Sequence, residues 1–266
     1  MKPAVLSIRN LSVSRHHPDG PVEIVKQLSF DLGEGEVLAM VGESGCGKSK
    51  TAEAIMGLLS GGAWQVRADT LELAGSSLLS LSEAGWRKVR GREISIIFQE
   101  PLTALDPVFT AGSQLCATLG RHRGKSRREA RESSIAMLQR VGFADPFRIM
   151  QSYPHQLSGG MRQRVMIAMA MACRPRVLIA DEPTTALDVT TQAQVLSQLI
   201  RLGRESGTST LLITHDLGVV AQYCDRALVM LDGKIVEDAT VAELFSRPRH
   251  VYTRSLLAAA PGVRTG

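Results

Sequence analysis

The chain has 266 residues, of which 44% are hydrophobic and 21% are charged, and it carries a formal net charge of +5. This composition is typical of a folded protein with a large core and excludes an intrinsically disordered chain. No apolar run reaches the roughly 18 residues needed to span a bilayer, and the scattered cysteines lack the paired spacing of a zinc or iron–sulfur site. Because Met1–Val5 does not begin a secretory signal, we expect the chain to stay in the cytosol.

The residues up to Val41 are predicted to form β-structure. Leu6–Val13 alternates apolar and polar residues, which predicts a half-buried strand, and a turn-rich break follows at His16–Gly20. A second pair of strands is expected around Val22–Leu32. These elements predict an antiparallel sheet packed beside the next apolar strand, Val37–Val41.

A glycine-rich loop separates Val37–Val41 from a helical pattern at Thr51–Leu59, which a stop signal at Ser60–Gly62 is expected to end. The loop fits the phosphate-binding pattern G-x-x-x-x-G-K-[ST] and consists of Gly42, Glu43, Ser44, Gly45, Cys46, Gly47, Lys48 and Ser49. Its glycines let successive backbone N–H groups surround an anion, and the following helix directs its positive end there. Lys48 is then expected to neutralise the β- and γ-phosphates, Ser49 to bind Mg²⁺, and Cys46 to have a favoured thiolate.

The middle of the chain changes character. Ile94–Phe98 predicts a buried strand that ends at Gln99, whose amide can orient a water molecule or complete a metal shell. From about residue 101 to 157 the pattern is helical with charged faces, which predicts an inserted helical lobe. Its basic run, Arg121–Arg131, is interpreted as a solvated helix face with the loop before it.

A second anion site is predicted at the end of this lobe. Ser158, Gly159 and Gly160 stand immediately before an apolar helical run, Val165–Cys173. A hydroxyl and two glycines at a helix start can cap the helix and also bind an anion. A chain with one phosphate loop already has one such site, so the second indicates a nucleotide shared between two subunits in a head-to-tail dimer.

Strands alternate with helices in the last part of the chain. The strand Val177–Ala180 ends directly in Asp181 and Glu182, which places two carboxylates where open α/β sheets bind ligands. A helix at Thr190–Arg204 and strands at Thr210–Ile213 and Ala227–Met230 follow, and the alternation predicts a doubly wound parallel sheet. His215, just beyond a strand end, is a candidate contact for the γ-phosphate.

Together these motifs resemble those of the ATPase subunits of ATP-binding-cassette (ABC) transporters, in the family's order along the chain. The resemblance implies a P-loop NTPase core with an antiparallel β-subdomain and an inserted helical subdomain, all within a single domain over residues 1–266. It also implies ATP and Mg²⁺ as cofactors. The matching positions are Gly42–Ser49 (Walker A), Gln99 (Q-loop), Leu157–Met161 (signature), Asp181 (Walker B), Glu182 (catalytic glutamate), Ala186–Asp188 (D-loop) and His215 (switch histidine).

Finer features resemble the dipeptide, oligopeptide and nickel importers of this family: the stretch Gln99–Pro107, Met161, and Arg247–Leu257 in a C-terminal tail over residues 246–266. This resemblance implies a second ATPase subunit, identical or homologous, two membrane permeases and, indirectly, an extracytoplasmic binding protein. It places the chain peripherally on the cytoplasmic face of the inner membrane. The chain shows no cysteine cluster after its last motif, which favours nickel, while a metal chelate, peptides or opines stay open as cargo.

Two other classes of function are weighed against this one. A soluble ABC ATPase that acts on nucleic acid usually carries a second cassette or a long coiled coil, and this sequence shows neither, so we expect no nucleic-acid partner. A small-molecule kinase would have no use for the signature stretch Leu157–Arg164. The adenine contact stays open, because Arg15, His16 and His17 occupy the region where many relatives have an aromatic residue. Lys50 is an unusual extra cation beside the phosphates.

Overall fold

A computed structural model describes residues 3–59, 61–99, 104–184 and 187–259. The chain divides into two compact units, the first formed by residues up to Trp86 and from Ser209 onward, the second by Arg87–Thr208. No helix among the described residues is long and apolar enough to cross a membrane. Parts of four predicted segments lie outside the described residues: Ser60 of the stop signal, Glu100–Thr103, Ala186 of the D-loop, and residues 260–266 of the tail.

The first unit opens with the predicted antiparallel sheet. Strand β1 (Ala4–Arg15) pairs with β2 (Val22–Gly33), and on its other side with β4 (Trp64–Arg67) and β5 (Thr70–Leu73). The short β6 (Ser76–Ser77) pairs with β5. The strands β4 to β6 were not predicted, because their alternation is confined to four residues or fewer.

The predicted pair of strands at Val22–Leu32 is wrong, because β2 is one continuous strand of 12 residues. Its register against β1 shifts around Leu11, where Asn10 and Gln27 adopt positive φ. The Asn10 N–H donates to Ser29 Oγ at 2.9 Å and the Gln27 N–H to Ser12 Oγ at 3.1 Å. These hydroxyls replace the missing ladder partners, so the chain bulges and does not turn.

The rest of the first unit is a layer of parallel strands with helices. Strand β3 (Val37–Val41) pairs in parallel with β9 (Ser209–Ile213) and β10 (Arg226–Leu231), and β3 and β9 are buried at every residue, as expected of parallel strands covered on both faces. Strand β11 (Lys234–Thr240) returns antiparallel from β10, so the layer is mixed and not wholly parallel. The unit also contains the helices α1 (Lys48–Ile55), α8 (Leu217–Tyr223), α9 (Val241–Ser246) and α10 (Val251–Ala259).

Helix α1 ends earlier than predicted. Its last residue is Ile55, and Gly57 at φ 62° turns the chain away before the expected stop at Ser60–Gly62. A Cβ at Gly57 would lie 2.4 Å from the indole ring of Trp86, which belongs to α2 (Glu83–Val89). The early end therefore depends on a close approach to an aromatic ring that local sequence does not reveal.

The second unit combines a parallel strand pair with helices. Strands β7 (Ile94–Ile97) and β8 (Val177–Asp181) pair in parallel, as predicted from their apolar runs. The described residues between 104 and 157 form helices and no strand: α3 (Ala111–Arg123), α4 (Arg127–Arg140), α5 (Pro146–Gln151) and a 3₁₀ turn at Pro154–Gln156. Helices α6 (Gly159–Met171) and α7 (Val189–Ser206) complete the unit.

Substituting Gly57 by alanine tests the packing against Trp86. Gly57→Ala is expected to lower the free energy of unfolding by about 2–4 kcal/mol, because the left-handed φ and the 2.4 Å overlap with the ring act together. Gly75→Ala is the matched control: Gly75 has φ 76° and nothing within 4 Å of a Cβ, so the loss there is about 1 kcal/mol. Chemical denaturation measures both, and equal losses would contradict this packing.

Candidate phosphate and hydrolysis site

The glycine-rich loop leaves the buried strand β3 and enters α1, as predicted. A Cβ at Gly42 would lie 2.2 Å from the carbonyl oxygen of Met230. A Cβ at Gly47, the φ 108° residue before α1, would lie 2.9 Å from Cε of the same methionine. Glycine is required at Gly42 because the backbone of β10 fills the position of a Cβ, and at Gly47 because a φ of 108° is strained for any residue with a side chain.

Lys48 is held inside this loop. Its side chain is only 6% exposed, and its ammonium group donates hydrogen bonds of 2.8 Å to the carbonyl oxygens of Gly42 and Glu43. The hydroxyl of Thr51 donates to Gly47 O at 3.0 Å and secures the first turn of α1. The loop thus encloses a fixed positive charge at a helix N-terminus, an arrangement suited to phosphate.

The expectation of a favoured thiolate at Cys46 is wrong. Cys46 is buried, and burial raises the pKa of its thiol despite the nearby Lys48 ammonium, which acts in the opposite direction. The proximity of a helix N-terminus does not offset the loss of water, so Cys46 stays protonated at neutral pH.

His215 lies at the same edge of the first unit as the loop. Met40 of β3 pairs in parallel with Ile213 of β9, so Gly42 and His215 each come two residues after a paired position. The Thr214 N–H donates to Met40 O at 3.2 Å, and Asp216 caps α8 by accepting the N–H groups of Gly218 and Val219. The residues on both sides of His215 are therefore held in place, and His215 itself is exposed.

The second unit brings Gln99 and Glu182 together by the same kind of register. Ile97 of β7 pairs with Ala180 of β8, and each predicted residue follows its paired position by two. The Gln99 amide Nε2 donates to the Glu182 carboxylate Oε2 at 2.9 Å. An amide and a carboxylate in contact at the end of two parallel strands can orient a water molecule.

Asp181 and Glu182 differ in environment although they are neighbours. Asp181 is the last residue of β8 and is buried, whereas Glu182 is half-buried and has φ 44°. A positive φ is costly for a residue with a side chain and is concentrated at functional sites. The backbone bend turns the chain sharply at the end of β8, immediately before Pro183.

The second predicted anion loop also has the expected local form. Ser158 is the N-cap of α6 and its hydroxyl accepts the Met161 N–H at 3.4 Å. Ser158 and Gly159 are exposed, and a Cβ at Gly159 would make only an ordinary contact of 3.6 Å with Leu187. A Cβ at Gly160 would lie 2.7 Å from Thr191 Cγ2 on α7, so Gly160 allows the two helices to approach.

Two cations near the first loop are engaged by an aromatic residue that the sequence did not single out. The Arg15 guanidinium lies 5.7 Å and the Lys50 ammonium 5.0 Å from the ring centroid of Trp64, and Lys50 also pairs with Glu53 at 2.7 Å. The charges of Arg15 and Lys50 are therefore engaged in contacts within the chain. Trp64 lies on β4, and since β4 was not predicted, neither was this cluster.

The sequence also missed a contact from the far end of the chain. The backbone N–H of Glu43, in the phosphate loop, donates to the hydroxyl of Tyr252 on α10 at 3.0 Å. Tyr252 was noted only as part of a family-like segment, and no local pattern signals a bond between residues 209 positions apart.

Comparisons with known proteins agree with these motifs. The family model described as "ABC transporter" matches residues 25–185. The dipeptide transport ATP-binding protein DppD of Bacillus subtilis (strain 168) is 50% identical over 97% of this chain and 77% of its own length. The oligopeptide transport ATP-binding protein AppD of the same organism is 48% identical over 97% of this chain and 78% of its own.

A solved structure shares the fold. The ATP-binding cassette MJ0796, in a dimeric post-hydrolysis state bound to ADP and Pi, matches with a TM-score of 0.76 and 28% identity over 89% of this chain and 98% of its own. Fold, motifs and relatives converge on one conclusion. The chain belongs to the ABC transporter family and is an ABC ATPase, which binds ATP with Mg²⁺ and hydrolyses it.

Proposed function

We propose that this chain energises the import of peptides by an ABC transporter. It acts at the cytoplasmic face of the cell membrane with a second ATPase subunit, two permeases and, indirectly, an extracytoplasmic binding protein. The relatives named for dipeptide and oligopeptide transport, at 50% and 48% identity, support this proposal. The single structural observation that carries the hydrolytic role is the 2.9 Å contact between Gln99 and Glu182 at a strand end.

The first unit would bind the triphosphate. The loop has the features that phosphate needs: backbone positions where only glycine fits, a buried ammonium group at Lys48 and a helix start at α1. Lys48 would neutralise the β- and γ-phosphates, and His215 at the same edge would contact the γ-phosphate. Ser49 offers a hydroxyl oxygen to Mg²⁺.

The second unit would supply the groups for hydrolysis. Asp181 offers a buried carboxylate oxygen, the kind of ligand that Mg²⁺ prefers, and Gln99 offers an amide oxygen for the same shell. Mg²⁺, when bound, neutralises charge that develops on the phosphate oxygens. Glu182 would accept a proton from the attacking water, with Gln99 holding the carboxylate in place by the observed hydrogen bond.

We infer that each nucleotide-binding site is completed by a second subunit. Ser158 and Gly159 are exposed at the N-terminus of α6, with backbone N–H groups available to an anion outside the chain. In a head-to-tail dimer, this signature loop would face the γ-phosphate held by the partner's phosphate loop. The dimeric state of the cassette MJ0796 supports the arrangement. Closure on ATP and opening after hydrolysis would move the permeases.

The second unit also has a surface suited to a permease. An open groove of about 560 Å³ beside the Q-loop is mostly apolar, and its lining includes Ile96, Phe98, Met166 and Met169. The lobe that follows exposes Val108 and Phe109 by 72% and 55%. Exposed apolar side chains at this density are typical of a protein contact.

Peptide cargo replaces nickel as the preferred choice. The nickel expectation depended on a cysteine cluster missing after the last motif, whereas the relatives that cover nearly all of this chain are named for peptide transport. A nucleic-acid function has no observation in its favour. Identifying an extracytoplasmic binding protein encoded near this chain, and its ligand, would decide between peptide and nickel.

Replacing Glu182 by glutamine tests the hydrolytic role. Glu182→Gln is expected to slow ATP hydrolysis by about 10²–10⁴-fold, because an amide cannot accept the proton from water. ATP affinity should persist, and gel filtration should show a dimer that forms only with ATP. Glu205→Gln, which alters an exposed ion pair with Arg140, is the matched control and should retain activity. A monomeric Glu182→Gln variant that phosphorylates an acceptor would identify a kinase.

Enlarging Gly159 tests the shared nucleotide. Gly159→Leu is expected to abolish hydrolysis while the melting temperature and ATP binding to the single chain stay unchanged, because Gly159 is exposed and a Cβ there makes only an ordinary contact of 3.6 Å with Leu187. Gly160 is unsuitable, since its Cβ would meet Thr191 at 2.7 Å. Gly62→Leu, at an exposed glycine with nothing within 4 Å of a Cβ, is the control. Full hydrolysis by Gly159→Leu would contradict a site completed by a partner.

A further inference from the structure

The phosphate loop is held from outside by residues close to the C-terminus. The hydroxyl oxygen of Tyr252 accepts the Glu43 N–H at 3.0 Å. Glu43 directly follows Gly42, the residue where the chain leaves β3 and begins the loop. The bond therefore fixes the loop near its start, five residues before Lys48.

Tyr252 belongs to a short anchored segment, Arg249–Thr253, which we call the C-terminal latch. Glu237 of β11 is only 6% exposed, and its carboxylate accepts the backbone N–H groups of Arg249 at 2.8 Å and His250 at 2.9 Å. Burial alone would raise the pKa of Glu237, but these N–H donors and the Thr253 hydroxyl lower it overall. Glu237 is therefore ionised at neutral pH and ties the start of α10 to the sheet.

The ring of Tyr252 is fixed by packing as well. Tyr252 packs against the buried cluster that includes Val41, Val220 and Leu257, so the last residue of β3 and helix α10 share one core. Its own N–H donates to His250 Nδ1 at 3.2 Å. The hydroxyl thus reaches Glu43 from a side chain that has little freedom to move.

The neighbouring hairpin contacts the same loop. The N–H of Gly233, in the turn between β10 and β11, donates to Cys46 O at 3.1 Å, and Met230 O occupies the space of a Cβ on Gly42. Glu237 lies on the second strand of this hairpin. The hairpin and the C-terminal latch therefore hold the loop at two separate points, Cys46 and Glu43.

We propose that Tyr252 is a positioning residue for nucleotide binding, which acts by holding the Glu43 N–H and so pre-forming the phosphate loop. The proposal rests on the proposed role of Gly42–Ser49 in binding phosphate. A loop that is already in its binding conformation loses less entropy when the nucleotide arrives, which strengthens affinity without adding a contact to the ligand.

Removing the hydroxyl alone tests this role. Tyr252→Phe is expected to raise the Kd for MgATP about five-fold, the effect of one net hydrogen bond. The rate at saturating ATP should stay unchanged, because no group that acts on the phosphates is altered. Amide hydrogen exchange should accelerate at Glu43 and stay unchanged at Thr51, whose N–H donates to Gly47 O within the same loop and helix start.

A second variant tests the anchor of the latch. Glu237→Gln loses the negative charge that holds the backbone N–H groups of Arg249 and His250, and it should raise the Kd for MgATP as Tyr252→Phe does. The double variant Tyr252→Phe/Glu237→Gln should have a Kd for MgATP no higher than that of the more impaired single variant, because both changes act through the same hydrogen bond. Glu205→Gln is the control: its carboxylate pairs with Arg140 and Arg201 in the second unit, outside the latch, so ATP affinity should not change.

Two outcomes would overturn the proposal. One is an unchanged Kd and unchanged Glu43 exchange in Tyr252→Phe; the other is a lower melting temperature with an unchanged Kd, which would show a purely structural role. Lys48→Ala separates this failure from that of the proposed function. If Lys48→Ala loses ATP binding while Tyr252→Phe does not, only the role of Tyr252 is wrong.

Discussion

The register of short buried parallel strands is the constraint on which the candidate site depends. Met40 opposite Ile213 sets Gly42 and His215 at one edge of the first unit, and Ile97 opposite Ala180 sets Gln99 beside Glu182 in the second. Each polar group comes two residues after a paired apolar residue. A slip of one residue would move every side chain of these strands to the opposite buried face, where it would meet different neighbours, so the core packing that stabilises the fold also fixes the positions of the site residues.

Helices α1 and α6 each follow a glycine-rich loop, and the two loops differ in what surrounds them. The loop before α1 is enclosed: Met230 packs on its glycines, Lys48 is buried in it, and Tyr252 and Gly233 hold its outer side. The loop before α6 is open, with Ser158 and Gly159 exposed. An enclosed site holds a ligand by itself, whereas an open helix start needs a ligand brought to it. This asymmetry is what two subunits sharing nucleotides require.

Sequence predicted the parts of the structure that depend on neighbours along the chain. The strands β3, β8 and β9 were recognised from their apolar runs, and Gln99, Asp181, Glu182 and His215 because they are polar residues at or just beyond the ends of such runs. The β2 strand was predicted as a pair of strands, whereas the Ser29 and Ser12 hydroxyls support a bulge within one continuous strand. The β10–β11 hairpin was missed although Asp232-Gly233 is a common turn dipeptide. Tyr252 was unpredictable, since its partner lies 209 residues away.

The central claim is that a functional site combines the phosphate loop of one chain with the signature loop of another. Mixing two inactive variants, Lys48→Ala and Gly159→Leu, tests it most directly, with the unaltered chain as the positive control. In a head-to-tail pair, the intact phosphate loop of one variant meets the intact signature loop of the other. The account predicts that the mixture regains hydrolysis that neither variant shows alone. A mixture as inactive as its components, beside an active unaltered chain, would contradict it.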